Sequence, residues 1–180
     1  DAPLAASWVV DELKFVPSKS GVAVDSLEHW GNYGVFTGEP EIGIDPSMYT
    51  EGSSSLKASA VIPQGKEAGL MFDPPGTWDL TPYKFFSFQL AFENTSLENV
   101  HEVITEIWDS DGNHRRWVLK EQATDERARI IIALDENYFR QTSTPPDLTS
   151  IESISISMMA TADAPLAASW VVDELKFVPS

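Results

Sequence analysis

Polar and apolar residues alternate with a period of two along most of the chain. In KFFSFQLAF (84–92), Phe86, Phe88, Leu90 and Phe92 fall on one side and Ser87, Gln89 and Ala91 on the other, which predicts a half-buried strand. EVITEIW (102–108) and HRRWVLK (114–120) flank Asp109-Ser110-Asp111-Gly112-Asn113. An Asp-Gly pair between two such runs predicts a β-hairpin, because glycine accepts the positive φ of a tight turn. RARIIIAL (127–134), SISISMM (153–159) and SWVVDELKFV (169–178) predict three more strands. Between the runs lie turn clusters such as Asp73-Pro74-Pro75-Gly76 and Thr144-Pro145-Pro146-Asp147. The helical signal is confined to one turn in DENYFR (135–140). Many short strands with Gly and Pro between them predict an all-β fold, an antiparallel β-sandwich.

The organisation of the chain is set by a duplication. DAPLAASWVVDELKFVPS stands at 1–18 and again, letter for letter, at 163–180. The chain therefore divides into a copy of the C-terminal strand (1–18) and a sandwich module (19–180), with Ser18-Lys19-Ser20-Gly21 as a polar linker. Either the parent protein is a tandem array of such modules, or the strand was duplicated by a gene-level event or by engineering. One sandwich has one slot for this strand, so the two copies compete for it. The surplus copy is expected to pair along a sheet edge or to mediate self-association by strand exchange, through 1–18 or 163–180.

Composition narrows the class. A length of 180 residues with 42% hydrophobic and 11% aromatic content suits one domain with a substantial core. Lys and Arg number 12 against 28 Asp and Glu, a net charge of −16, which disfavours nucleic acid and anionic membranes as partners. Cysteine is absent, which removes disulfide scaffolds, thiolate metal sites and cysteine nucleophiles together. No apolar run approaches the ~20 residues of a membrane helix. The first residues lack the basic start and apolar stretch of a secretory leader, so the chain reads as a mature segment of a longer protein, with an extracellular or cell-surface location.

Four segments, taken in order, carry a resemblance to a known group: VDSLEHWGNYG (24–34), GSSSLKASA (52–60), DGNHRRW (111–117) and the closing stretch 138–159 with WVVDELKFV (170–178). Together they resemble the galactose-binding-like jelly-roll carbohydrate-binding modules, and most closely those of family 11, which bind β-glucans. The resemblance implies a structural calcium ion pinning the first, second and last strands. Its ligands would be Asp25, Glu28, the stretch from Ser53 to Ser55 and Asp173, in keeping with the oxygen-rich shell of a hard cation. Asp173 also stands out on its own. At period two it shares a face with Val171, Leu175 and Phe177, which predicts an inward carboxylate that needs a metal or a base. Asp11 holds the same place in the N-terminal copy.

Sugar recognition needs aromatic rings to stack on pyranose faces and planar polar groups to pair with hydroxyls. Alternation across the predicted hairpin puts Glu106, Trp108 and Arg116 on one platform, although a tryptophan such as Trp108 reads first as a core residue. The resemblance adds Tyr33 in the cleft, Asp111 and His114 at the hairpin, and Tyr138 and Arg140 beside the Pro-rich loop. Where the family carries further tyrosines and an Arg-Asp pair, this chain has Glu67 or Ala68, Met159 and Gln141-Thr142-Ser143.

Nothing in the sequence signals catalysis. There is no G-x-S-x-G, H-E-x-x-H, P-loop or dinucleotide fingerprint, and His29, His101 and His114 lack metal-site spacing. Two readings follow. One is a non-catalytic module that binds a polysaccharide, by the resemblance a β-glucan, within a secreted multi-modular protein. The other is a structural or adhesive repeat of a surface protein, assembled through the duplicated strand.

Overall fold

The computed structural model describes residues 22–25, 33–47, 54–74, 76–95, 97–119, 127–136 and 138–179, with side chains from residue 35 onward. The strands are β1 (Val22–Asp25), β2 (Tyr33–Thr37), β3 (Glu41–Asp45), β4 (Ser55–Ile62), β5 (Glu67–Phe72) and β6 (Tyr83–Phe92), then β7 (Val100–Asp109), β8 (His114–Val118), β9 (Ala128–Ala133), β10 (Arg140–Gln141), β11 (Ile151–Ala160) and β12 (Leu166–Pro179). They form two antiparallel sheets. The first runs β3-β4-β12-β6-β9, with β1 also paired to β12; the second runs β10-β8-β7-β11-β5-β2.

The alternation does what the sequence predicts. Phe86, Phe88, Leu90 and Phe92 enter one apolar core with Val103, Ile107, Ile154, Ile156, Met158 and Trp170 from both sheets. Each strand thereby turns one side inward and leaves its other side for solvent or ligand. Gly112 takes φ +79°, as the Asp-Gly hairpin between β7 and β8 requires. Among the described residues no helix is long and apolar enough to cross a membrane.

Two expectations are corrected. The described part of DENYFR forms a turn and a bend, not a helical turn. Its backbone bonds outward to β8: Phe139 N–H donates to Arg116 C=O at 2.8 Å, and the Glu136 carbonyl accepts from Trp117 Nε1 at 3.0 Å. Those groups are then unavailable to a helix. Asp173, expected on the core side, lies on the opposite side from Val172. A bulge shifts the register between Asp173 and Lys176, and Glu174 takes φ +52°. Leu166, Ala168, Trp170 and Val172 therefore face the core before the bulge, and Leu175 and Phe177 after it. One inserted residue reverses the parity of all that precede it.

The C-terminal copy of the duplicated segment fills the slot. As β12 it sits centrally, with β4 beside Leu166 to Val172, β1 beside Leu175 to Phe177, and β6 along the other side. The copy at 1–18 lies outside the described residues.

Candidate functional site

The outer side of the second sheet gathers most of the predicted ligand residues. On β7 the outward row is Glu102, Ile104, Glu106 and Trp108. Register places Arg116 opposite Glu106 and His114 opposite Trp108 on β8. β11 adds Ser153, Ser155 and Ser157, which pair with Trp108, Glu106 and Ile104, and β5 adds Gly69 and Met71 opposite Ser157 and Ser155.

At the hairpin end this face is aromatic. Trp108 stacks on His114 with ring centroids 4.3 Å apart at 27°. Phe36 of β2 lies 6.2 Å from Trp108, although β5 and β11 intervene and three steps of ~4.8 Å separate the two strands. The side chains must lean toward one another over the face. Beside them opens a cleft of about 520 Å³, lined by Phe36, Met71, Trp108, Glu152, Ser153 and the hairpin Asp109 to Gly112, within the usual size range of ligand pockets. Its rim is acidic. Asp73, beside Glu152, has a carboxyl held above its ordinary range, first by burial and then by the Glu152 charge.

At the other end the face is ionic and buried. Arg116 donates through Nη1 to Glu106 Oε1 at 3.0 Å, and through Nη2 to Glu67 Oε2 at 3.3 Å and Glu102 Oε2 at 3.4 Å. Ser157 Oγ donates to the other Glu67 oxygen. Glu106 is 2% exposed and Arg116 8%. Burial works to deprotonate the guanidinium, but the Glu106 hydrogen bond and the surrounding carboxylates outweigh it and hold its pKa above the ordinary value.

Three buried polar atoms on this face have no hydrogen-bond partner in the protein: Trp108 Nε1, His114 Nδ1 and Ser155 Oγ. Such atoms are rare in folded proteins, and on the core side Thr105 Oγ1 and Trp170 Nε1 share the condition.

Of the expected ligand residues, Glu106, Trp108, Arg116 and His114 share this face. Arg140 pairs in register with Arg116 at its edge. Asp111 lines the cleft from the hairpin tip. Tyr138 packs under the Arg115 guanidinium at 5.2 Å. The Tyr33 backbone pairs with Phe72, and its side chain lies outside the described ones. Sequence reasoning missed Phe36, Met71, the serine row and the part played by Glu67 and Glu102. The serines were readable, since SISISMM alternates Ser with buried Ile; the others meet only through long-range pairing.

Asp109 was also missed, and it fixes the rim. Its Oδ1 accepts from the backbone N–H of Asp111 at 3.0 Å and of Asn113 at 2.8 Å, and its Oδ2 accepts from the Asp147 N–H at 2.9 Å. Burial tends to raise this carboxyl, but the Asp147 and Asn113 hydrogen bonds outweigh it and leave it below its ordinary range. The stabilisation is therefore complete above the unfolded-state value of about 3.9 and is lost as pH falls through the lower folded value. Asp109→Ala is expected to cost about 2 kcal/mol, since it orphans several donors. It should also flatten the acid limb of the stability–pH curve measured by urea unfolding.

The expected metal ligands meet at a second place. β4 pairs with β12 as far as Leu56 and Val172, and β1 takes over at Leu175. Ser55, Asp173 and the backbone of Asp25 adjoin this junction. Asp45, which the sequence reading passed over, pairs in register with Ser55. Asp45, Ser55 and Asp173 are 7%, 0% and 2% exposed. Among the described residues no three acidic or histidine side chains form a metal-binding group. Glu28 and Ser53, and the side chain of Asp25, lie outside the described ones.

Two antiparallel sheets closed in this order form a jelly-roll β-sandwich. The chain is similar over 91% of its length to a family 11 carbohydrate-binding module from Clostridium thermocellum in complex with a β-1,3-1,4-mixed-linked tetrasaccharide, at TM-score 0.66 and 19% identity, covering 98% of that chain. A family 30 module of a cellulosomal cellulase of Clostridium thermocellum matches 82% of this chain and 90% of its own, at TM-score 0.61 and 14% identity. An exo-β-agarase matches 88% of this chain over 25% of its own, at TM-score 0.63 and 12% identity. No family model and no curated protein matches the sequence.

Proposed function

We propose that the chain is a non-catalytic module that binds a neutral polysaccharide of the β-glucan class on the outer side of its second sheet. The observation that carries this reading is the cleft lined by Phe36 and Trp108, with partnerless polar atoms on its own face. Trp108 offers a ring for a pyranose face, and Ser153, Asp111 and Glu152 at the cleft offer hydrogen bonds to hydroxyls. Asp111 and Glu152 at the cleft, with Asp73 beside Glu152, repel uronate and sulfated polymers, which favours an uncharged ligand. The fold shared with a module that holds a mixed-linked tetrasaccharide supports the same reading.

Native gel electrophoresis through soluble polysaccharides tests it. The chain is expected to be retarded by mixed-linkage β-1,3-1,4-glucan and not by alginate or carrageenan. Unretarded migration through β-glucan, mannan, xylan and agar alike would refute it.

We also propose that calcium binds where β1, β4 and β12 meet. Asp173 and Asp45 supply buried carboxylates there, and Ser55, with Asp25, Glu28 and Ser53, would supply further oxygens toward the shell of about six to eight that calcium takes. The ion would tie the end of β4 to the start of the β1–β12 pairing. Chelation is expected to lower the melting temperature, and calcium but not magnesium to restore it. A melting temperature unmoved by chelator would remove the ion from the account.

A further inference from the structure

We propose that the slot between β4 and β6 is a strand-acceptor site, and that residues 4–17 of the same chain can enter it in place of β12. The inference rests on the geometry of β12 and is independent of the glycan reading.

The fit follows from identity. Leu166, Ala168, Trp170, Val172, Leu175 and Phe177 fill the core from β12, each 4% exposed or less. Their counterparts in the N-terminal copy are Leu4, Ala6, Trp8, Val10, Leu13 and Phe15. Residues 4–17 therefore present the same side chains, with the same Asp-Glu pair at the bulge, to the same neighbours on β4 and β6.

The reach follows from β1. It pairs antiparallel with the end of β12, Val22 opposite Phe177 and Ala23 opposite Lys176. With the N-terminal copy in the slot, Val22 would stand opposite Phe15 and Ala23 opposite Lys14. That is a β-hairpin within one continuous stretch of chain. Pro179 still pairs with Tyr83 on β6, so its counterpart Pro17 belongs to the strand. The connection from the paired Phe15 to the paired Val22 would then be residues 16–21, a short loop that includes the turn-forming Ser18-Lys19-Ser20-Gly21.

The choice of occupant is also physical. Two copies compete for one slot, and β12 leaves it only if an equal strand replaces it. Donation between molecules fills one slot for each strand displaced and gains no burial, while it costs the entropy of association. Closing a loop of six residues within the chain costs far less. The alternative occupant is therefore the chain's own N-terminal copy.

Point substitutions in the full chain test this. Trp170→Asp places a carboxylate in the core if β12 stays in the slot. Trp170→Asp and Trp8→Asp, each alone, are expected to keep a cooperative β-sheet melting transition and a monomeric mass by light scattering. The double variant is expected to lose the transition. A chain ending at residue 162 repeats the Trp170 arm without adding a charge, and is expected to fold. If neither Trp170→Asp nor the 1–162 chain folds while Trp8→Asp does, the N-terminal copy cannot enter the slot. A folded double variant, an unfolded Trp8→Asp chain, or a Trp170→Asp chain that folds only as a dimer would equally overturn the proposal.

Discussion

Arg116→Met is expected to destabilise the sandwich by about 3–5 kcal/mol, the cost of removing one partner from a buried ionic cluster. Three carboxylates converge on this guanidinium, and Glu106 is the most enclosed of them. Without Arg116, the Glu106 charge stays buried with no counter-ion. Methionine keeps much of the volume, so the loss reads electrostatics and not a cavity. Adding Glu106→Gln to Arg116→Met removes the stranded charge and should recover part of the stability. Equilibrium urea unfolding of wild type, both single variants and the double measures this as a coupling energy. A single-variant loss under about 1 kcal/mol, the scale of a surface pair, would show that the cluster is solvated and that the face is open along its whole length.

The second large effect falls on binding. Trp108→Ala is expected to weaken polysaccharide retention by about 30-fold or more, the loss typical of an aromatic anchor residue. Trp108 is only half-buried and lies on the outer side of β7, so its removal leaves the core intact and the melting transition cooperative. Trp108→Phe keeps a ring and should restore part of the affinity. His114→Ala, which removes the ring stacked beneath Trp108, should weaken binding less. If affinity loss in Trp108→Ala merely tracks loss of folded protein, the tryptophan is structural and the cleft is not the site.

The two layers of the sandwich were readable because period two is a local signal. KFFSFQLAF declares its buried side within nine letters, and the Asp-Gly turn fixes the pairing of β7 with β8. That local register brings Glu106, Trp108 and Arg116 together without further information. The rest of the site has no local signature. Glu67 reaches Arg116 only because β5 pairs with β11 and β11 with β7, which sets Glu67 and Glu102 opposite Met159 from its two sides. Phe36 reaches Trp108 only because the side chains lean together over two intervening strands. Asp173 shows the other limit. Its side was misjudged because a bulge costs one residue and leaves no mark in the alternation except two adjacent acids. The duplication was plain in the letters, but which copy closes the sheet depends on competition for one slot.

The most direct test of the central claim is to follow the indole N–H signals of the six tryptophans during titration with a mixed-linkage β-glucan oligosaccharide. The Trp108 indole N–H, buried without an acceptor on the cleft face, should shift progressively to saturation, while Trp117 and Trp170 in the core stay still. Saturable shifts confined to other tryptophans, or no shift at any of them, would contradict the placement of the binding face on the second sheet.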